Sequence, residues 1–235
     1  MSHVVHHNRS IWDEDELRGE WQIWAVIVHH MSDTEAGKAT MRADLLRMRR
    51  GLTAADRRVS GEQLAAHAAG LPELRDARTV AAYVSVGAEP ATRELLEALR
   101  GRGVRVLLPV LMADNDLDWA VYAGPGALRR AGRGLDEPAG PRLGPDAVLE
   151  ADTVLLPGLA VDRRGLRLGR GGGSYDRVLA RLEGAGRRPA LIVLLYGNEV
   201  VERVPAEPHD RPVSAAVTPA GVRRFPGAPG GRAAD

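Results

Sequence analysis

The sequence contains no cysteine. That excludes disulfides, thiol nucleophiles and any cysteine-based zinc site. An excess of charge of either sign is also missing. The formal net charge is +1 over 235 residues, which gives no reason to expect nucleic acid or an anionic membrane surface as a partner. Long apolar runs are absent too. The longest near the start, residues 23–28, falls far short of the roughly 20 residues that span a bilayer. The acidic cluster Asp13, Glu14, Asp15 and Glu16 is the reverse of a signal peptide's basic start. We therefore expect a soluble, cytoplasmic protein. Lysine is almost missing: Lys38 is the only one among the cationic side chains, the rest being arginine. A lysine ammonium is a compact point charge and a guanidinium is a rigid planar fork. A lone lysine in such a chain is either chance or the mark of a place where arginine does not serve.

What is present is unevenly spread. Residues 1–30 hold five of the seven histidines and three of the four tryptophans, with no period of 3.6 or 2. We expect them to be a disordered N-terminal extension, with Met31 as the natural start. Residues 34–50 then read as a helix, with Thr34 as its cap and Met41, Leu45 and Met48 at helical spacing. Thr53 opens a second helix to about residue 69, with Asp56 placed for a capping box. From there strands and helices alternate. Strands are expected at 79–85, 104–110, 117–122, 153–156, 190–195 and 215–217, and helices at 91–100 and 174–183. Residues 127–145 read as loop, and 226–235 as a disordered Pro/Gly tail. The alternation predicts an α/β fold. It would be a three-layer α/β/α sandwich with a mostly parallel sheet, an N-terminal helical pair and one domain over 31–225.

Three segments carry candidate chemistry. Residues 167–177, RLGRGGGSYDR, set Gly169, Gly171, Gly172 and Gly173 around Arg170 just before a helix. Glycine lets backbone N–H groups approach an anion, and a helix N-terminus adds positive potential. Arg167 and Arg170 are suited to phosphate. Asp176, in the first helical turn, either caps the helix or holds a metal. The loop lacks the Gly-Lys-Ser/Thr of a Walker A motif, and Ser174 interrupts a dinucleotide fingerprint. A flexible surface turn is the alternative. Residues 204–219 set Glu207, His209 and Asp210 among prolines. Magnesium takes carboxylates together with phosphate oxygens and water, so Asp210 is a candidate to pair with Asp176 around such an ion. A solvated polar turn is the alternative there, and His209, with no second histidine at ligand spacing, reads as structural. Glu89, past a strand end in YVSVGAEPAT, stands where a parallel sheet presents site residues, or simply where an acid suits a helix start.

In combination these segments resemble the 5-formyltetrahydrofolate cyclo-ligase family. Its Lys-x-x-x-Arg start is matched by Lys38 and Arg42, and its Ser and Glu-x-x-Thr segment by Ser85, Glu89 and Thr92. PGLAVD at 157–162 matches its Pro-Gly stretch, 167–176 its Arg-Leu-Gly-x-Gly-x-Gly-Tyr-Tyr-Asp loop, and 204–214 its Val-Pro-x-Glu-x-His-Asp motif. The resemblance runs from about residue 38 to 219. It implies ATP contacts from Lys38, Arg42, Arg167, Leu168, Gly169, Arg170, Gly171, Gly172, Gly173, Ser174 and Tyr175. It implies a folate site lined by Val84, Glu89 and 170–174, and magnesium held by Asp176 and Asp210. Lys38, Arg170 and Tyr175 would be catalytic. The implied reaction closes 5-formyltetrahydrofolate to 5,10-methenyltetrahydrofolate at the expense of ATP. Partners would be these small molecules, without nucleic acid or membrane, and the protein would be a monomer. The chain departs from the family pattern at Ser174 (a tyrosine in the family), Val161 (an aromatic) and Ser214 (an acid). The first keeps a second reading in view, a non-catalytic folate- or nucleotide-binding paralogue.

Overall fold

A computed structural model describes residues 35–207 and 210–225. The expectations for residues 1–30, the Thr34 cap, His209 and the tail 226–235 lie outside the described residues. In chain order the elements are α1 (Glu35–Gly51), α2 (Ala54–Ala69), the single turn α3 (Pro72–Arg75), β1 (Thr79–Ala81), α4 (Arg93–Gly101), β2 (Arg105–Leu111) and β3 (Leu117–Val121). Then come β4 (Leu128–Arg130), β5 (Asp136–Pro138), β6 (Thr153–Pro157), β7 (Ala160–Val161), β8 (Arg167–Leu168), α5 (Ser174–Gly184), β9 (Ala190–Leu194), β10 (Ala215–Thr218) and β11 (Gly221–Arg224).

Seven strands form one sheet in the order β11-β10-β9-β6-β1-β2-β3. The inner five are parallel, and β3 and β11 join antiparallel at the edges. The inner strands are written as unbroken apolar runs because both of their faces are covered; ALIVL of β9 is buried at every position. Neighbours in a strand point to opposite faces. Val80, Leu108, Leu155 and Ile192 meet Leu64 of α2, Leu74 of α3 and Leu95, Leu96 and Leu99 of α4 in one core. Ala81, Leu107, Leu156 and Val193 meet Trp119 and Val178, Leu179 and Leu182 of α5 in the other. The result is the three-layer sandwich.

The two N-terminal helices serve different cores. Met41 and Leu45 of α1 pack on Leu159, Ala160, Leu168, Val201 and Val204, which belong to segments following the carboxyl ends of β6 and β9. Helix α2 starts on the expected capping box, with Thr53 Oγ1 accepting from Asp56 N at 3.1 Å and Asp56 Oδ2 accepting from Thr53 N at 3.0 Å. Residues 127–145 are more ordered than the loop their composition suggests. They contain the β4–β5 hairpin, pinned where Asp136 accepts from Arg93 at 2.6 Å and Arg130 at 3.2 Å. Strands of three residues are too short to show a period, so their backbone pairing leaves no pattern in the sequence. Among the described residues no helix is long and apolar enough to cross a membrane.

From β1 the chain steps to β2 on one side, then crosses back to β6 and proceeds outward through β9 and β10 on the other. That reversal leaves a crevice between the carboxyl ends of β1 and β6, the usual ligand position in an open α/β sheet.

Candidate active site

A cavity of about 710 Å³ occupies this crevice. Tyr83 and Val84 line it from beyond β1, and Pro157 and Gly158 from the end of β6. Glu35, Lys38 and Arg42 of α1, the loop from Arg167 to Asp176, residues of the β4–β5 hairpin, and Glu207 and Asp210 complete it. Every site residue singled out in the sequence borders this one space. The turn between β2 and β3 and the β4–β5 hairpin bring further residues that the sequence did not point to, among them Asn115, Arg133 and Leu135.

Lys38 and Arg42 lie one helical turn apart on α1, so both point from one face. Lys38 is only 6% exposed. Its ammonium donates to Glu207 Oε2 at 2.6 Å and Asp210 Oδ2 at 3.0 Å. Burial works against its charge, but hydrogen bonds to Glu207 and then Asp210 outweigh it and hold the ammonium above its ordinary range. Asp210 Oδ2 also accepts from Glu207 N at 2.8 Å. Arg42 donates from Nη1 to Glu35 at 2.5 Å and from Nε to the Gly169 carbonyl at 3.1 Å, which ties α1 to the Gly-rich loop.

The glycines of that loop answer to the arginines beside them. A Cβ on Gly169 would sit 2.8 Å from Arg167 Nη1. Gly171 has φ +88°, a conformation that favours glycine, and its Cβ would lie 3.3 Å from Arg42 Cζ, so the guanidinium would have to give way slightly. Arg167 is buried, which draws its guanidinium below its usual range although Asp176 opposes this. It donates to the Pro157 carbonyl and to Asp176 Oδ1, both at 3.1 Å. Gly173 leads into α5 in a left-handed conformation, and no side chain caps that helix start among the described residues. Its first N–H groups therefore face the loop as donors for an anion. Of the two roles open to Asp176, capping is not the one observed.

Across the crevice, residues 83–92 form a locked turn. Thr92 Oγ1 donates to the Tyr83 carbonyl and accepts from Ser85 N, both at 2.9 Å, and Thr92 N donates to Ser85 Oγ at 3.3 Å. Glu89 Oε2 accepts from Val86 N at 2.9 Å, and its Oε1 lies 3.4 Å from Arg170 Nη1. Arg170 therefore reaches toward the Glu89 end. The hydroxyls of Tyr83 and Tyr175 are buried without a hydrogen-bond partner among the described residues. Burial, reinforced by Glu89, pushes both phenols well above their ordinary range, so both remain protonated.

Among the described residues no three or more histidine or acidic groups gather as a ready-made metal site. Asp176 is engaged by Arg167 and Asp210 by Lys38. Both carboxylates border the same cavity and also a smaller one of about 180 Å³ beside it. Two carboxylates at one cavity edge fit the donor set that magnesium accepts where phosphate oxygens and water supply the rest of its octahedron.

Beneath the cavity floor, Arg49 and Glu199 form a buried bidentate pair at 2.6 and 2.7 Å. Arg49 also donates to the Gly158 carbonyl at 2.6 Å and lies over the Tyr196 ring, 5.5 Å from its centroid. Burial raises the Glu199 carboxyl although Arg49 opposes it. The pair ties the C-terminal turn of α1 to the segment after β9, and the Gly158 bond ties it to the end of β6, so the helix bearing Lys38 is held against both. Asp162 is the second organiser. Fully buried, it accepts from the backbone N–H groups of Arg164, Leu166 and Val204 and from the Arg164 guanidinium.

The sequence model of the 5-formyltetrahydrofolate cyclo-ligase family matches residues 34–219. The chain belongs to this family. The 5-formyltetrahydrofolate cyclo-ligase of Mycolicibacterium smegmatis is 42% identical over 189 residues, covering 77% of this chain and 93% of that protein. The protein of the same name from Escherichia coli K12 is 34% identical over 179 residues, covering 74% and 96%. Among solved structures, 5,10-methenyltetrahydrofolate synthetase of Aquifex aeolicus superposes with a TM-score of 0.69 at 29% identity, covering 84% of this chain and 96% of that one. The corresponding Mycoplasma pneumoniae structure, at 19% identity and a TM-score of 0.60, shares the fold. Two of the departures from the cyclo-ligase pattern fall away from the cavity. Val161 is buried in a core, and Ser214 is a buried residue whose Oγ accepts from Leu191 N at 3.1 Å. Only Ser174 stands on the cavity wall.

Proposed function

We propose that this chain is an ATP-dependent ligase that closes 5-formyltetrahydrofolate to 5,10-methenyltetrahydrofolate, with release of ADP and phosphate. One observation carries the reading: a single cavity holds both a cation cluster suited to a polyphosphate and an acid-and-tyrosine cluster suited to a heteroaromatic ring rich in N–H groups. Family membership gives the same reaction class.

In this reading the triphosphate lies along the Gly-rich loop, with backbone N–H groups of the α5 start and the guanidiniums of Arg42 and Arg167 around it. Asp176 and Asp210 would hold magnesium, which neutralises phosphate charge when bound. Glu89 accepts from the N–H groups of the pterin, and Arg170 and Val84 border that ring. The N5-formyl oxygen attacks the γ-phosphorus and ADP leaves. Lys38, Arg170 and the Tyr175 hydroxyl stabilise the charge that spreads over the transferring oxygens. N10 then attacks the activated formyl carbon, loses its proton, and the C–O bond breaks to release phosphate.

The absorbance of the methenyl product should rise only when ATP and 5-formyltetrahydrofolate are present together. ATP hydrolysis indifferent to the folate would contradict the proposal. Ser174 supports a second reading, a binder without turnover. That reading predicts calorimetric binding of both ligands and no absorbance change.

A further inference from the structure

Glu89 stands at the tip of a turn that has little else to hold it. The base of the turn is locked by the bonds among Tyr83, Ser85 and Thr92. The tip, residues 86–89, is bonded mainly to itself. Val86 N donates to Glu89 Oε2 at 2.9 Å, and Glu89 N donates to the Val86 carbonyl at 3.2 Å. Among the described residues two hydrogen bonds join this tip to the rest of the chain. One is the contact of Arg170 Nη1 with Glu89 Oε1 at 3.4 Å. The other runs from the Tyr196 hydroxyl to the Ala88 carbonyl at 3.3 Å.

The two donors are held very differently. The Arg170 side chain is 55% exposed and belongs to the Gly-rich loop. In the proposed reaction its charge is turned toward the transferring phosphate. Tyr196 is buried just beyond β9. Its backbone N donates to Glu199 Oε2 at 2.9 Å, and the Arg49 guanidinium lies over its ring. Arg49 is itself fixed by Glu199 and the Gly158 carbonyl. A phenol seated in a satisfied buried network has few other positions to adopt. The Tyr196 bond therefore stays in place when a phosphate draws Arg170 away. A carboxylate that accepts from neighbouring N–H groups of one ring must be placed within roughly 0.5 Å, and such placement depends on the residues behind it.

We propose that Tyr196 is a positioning residue for the folate end of the cavity. Its hydroxyl, anchored through Arg49 and Glu199, holds the Ala88 carbonyl and so sets where the Glu89 carboxylate meets the pterin. The inference rests on the proposed cyclo-ligase reading. The nucleotide end, built on Lys38, Arg42 and the Gly-rich loop, does not depend on this hydroxyl.

The test uses the full chain, Tyr196→Phe, Glu89→Ala and the double variant. Phenylalanine keeps the ring beneath Arg49 and removes only the hydroxyl. In Tyr196→Phe, KM for 5-formyltetrahydrofolate should rise about three- to tenfold, the scale of one hydrogen bond, while KM for ATP and kcat stay within about twofold. In the double variant the folate KM should match that of Glu89→Ala alone, because no carboxylate is left to position. An unchanged folate KM, an equal rise for ATP, or independent effects that multiply in the double variant would each overturn the inference. Amide hydrogen exchange of the ligand-free chain adds a readout that needs no catalysis. Exchange in Tyr196→Phe should quicken at residues 86–89 and stay unchanged along β9. Unchanged exchange at 86–89 contradicts the inference, and faster exchange throughout makes Tyr196 a packing residue. If the unsubstituted chain itself shows no response to folate, the cyclo-ligase reading fails and the folate role of Tyr196 with it. A failure confined to the variants leaves that reading standing.

Discussion

Lys38 shows how a rare residue type acquires a reason. It is buried, yet its charge is sustained by Glu207 and Asp210. An arginine would have to fit a larger planar group into the same space. We predict that Lys38→Arg keeps the fold and most ATP binding but slows single turnover, by an amount comparable to the loss of one oxyanion donor, roughly 2–4 kcal/mol. Single-turnover rates within about twofold of each other, well under 1 kcal/mol, would return Lys38 to a structural role. The pH dependence follows from the raised value. A group whose folded pKa lies above its unfolded one lends stability that is complete below the unfolded value, here 10.5, and is lost as pH rises through the folded value. The gap in melting temperature between the unsubstituted chain and Lys38→Met should therefore hold steady at neutral pH and close only in strong alkali. A gap that closes near neutrality would contradict the pairing. Arg49 and Glu199 make the complementary case. Glu199→Gln strands a buried guanidinium, and loss of one partner of a buried pair costs about 3–5 kcal/mol. At roughly 2–4 °C per kcal/mol for a chain of this size, the melting temperature should fall on the order of 10 °C. A change within experimental error would show that Arg49 finds compensation elsewhere.

At the scale of elements, the legible parts were those with a repeating pattern or a local signature. The capping box at Thr53 and the apolar runs of β2, β6 and β9 show in the sequence because helical caps and doubly covered strands constrain neighbouring residues. The β4–β5 hairpin, β11 and the two-residue pair β7–β8 do not show. Each pairs with a near neighbour in the chain, but strands of two to four residues are too short to show a period. Sequence distance, by contrast, explains the site. Lys38 and Asp210 could be named as candidates, but their hydrogen bond joins positions 172 residues apart, and no spacing rule reaches that far. Tyr83 carried no signal beyond its place next to Val84. The Gly-rich loop was visible as a phosphate candidate, and the structure adds why Gly171 and Gly173, both at positive φ, are glycine. Gly171→Ala sets a Cβ at φ +88° against Arg42. Strain of this kind costs on the order of 1–3 kcal/mol, and we expect the main loss in ATP affinity, with a smaller loss in folate affinity. Calorimetry with each ligand separately checks the split; equal losses for both would mean that the whole cavity had moved.

For the whole molecule, the reversal of strand order between β1 and β6 is what turns scattered motifs into one site. The Glu89 turn follows β1, the Gly-rich loop follows β6, and α1 covers the space through its own small core. The family match begins at residue 34, and the cavity lining begins at Glu35. A chain beginning at Met31 should accordingly keep the melting temperature and activity of the full chain, and loss of either would show that residues 1–30 contribute. The central claim is that one cavity brings the formyl oxygen of the folate to the γ-phosphorus of ATP. That claim has a direct isotopic signature, because the attacking oxygen stays with phosphorus when N10 displaces it. With 18O in the formyl group and ordinary ATP and water, mass spectrometry of the released phosphate should find one 18O atom per methenyl product formed. Unlabelled phosphate alongside full conversion would contradict the account.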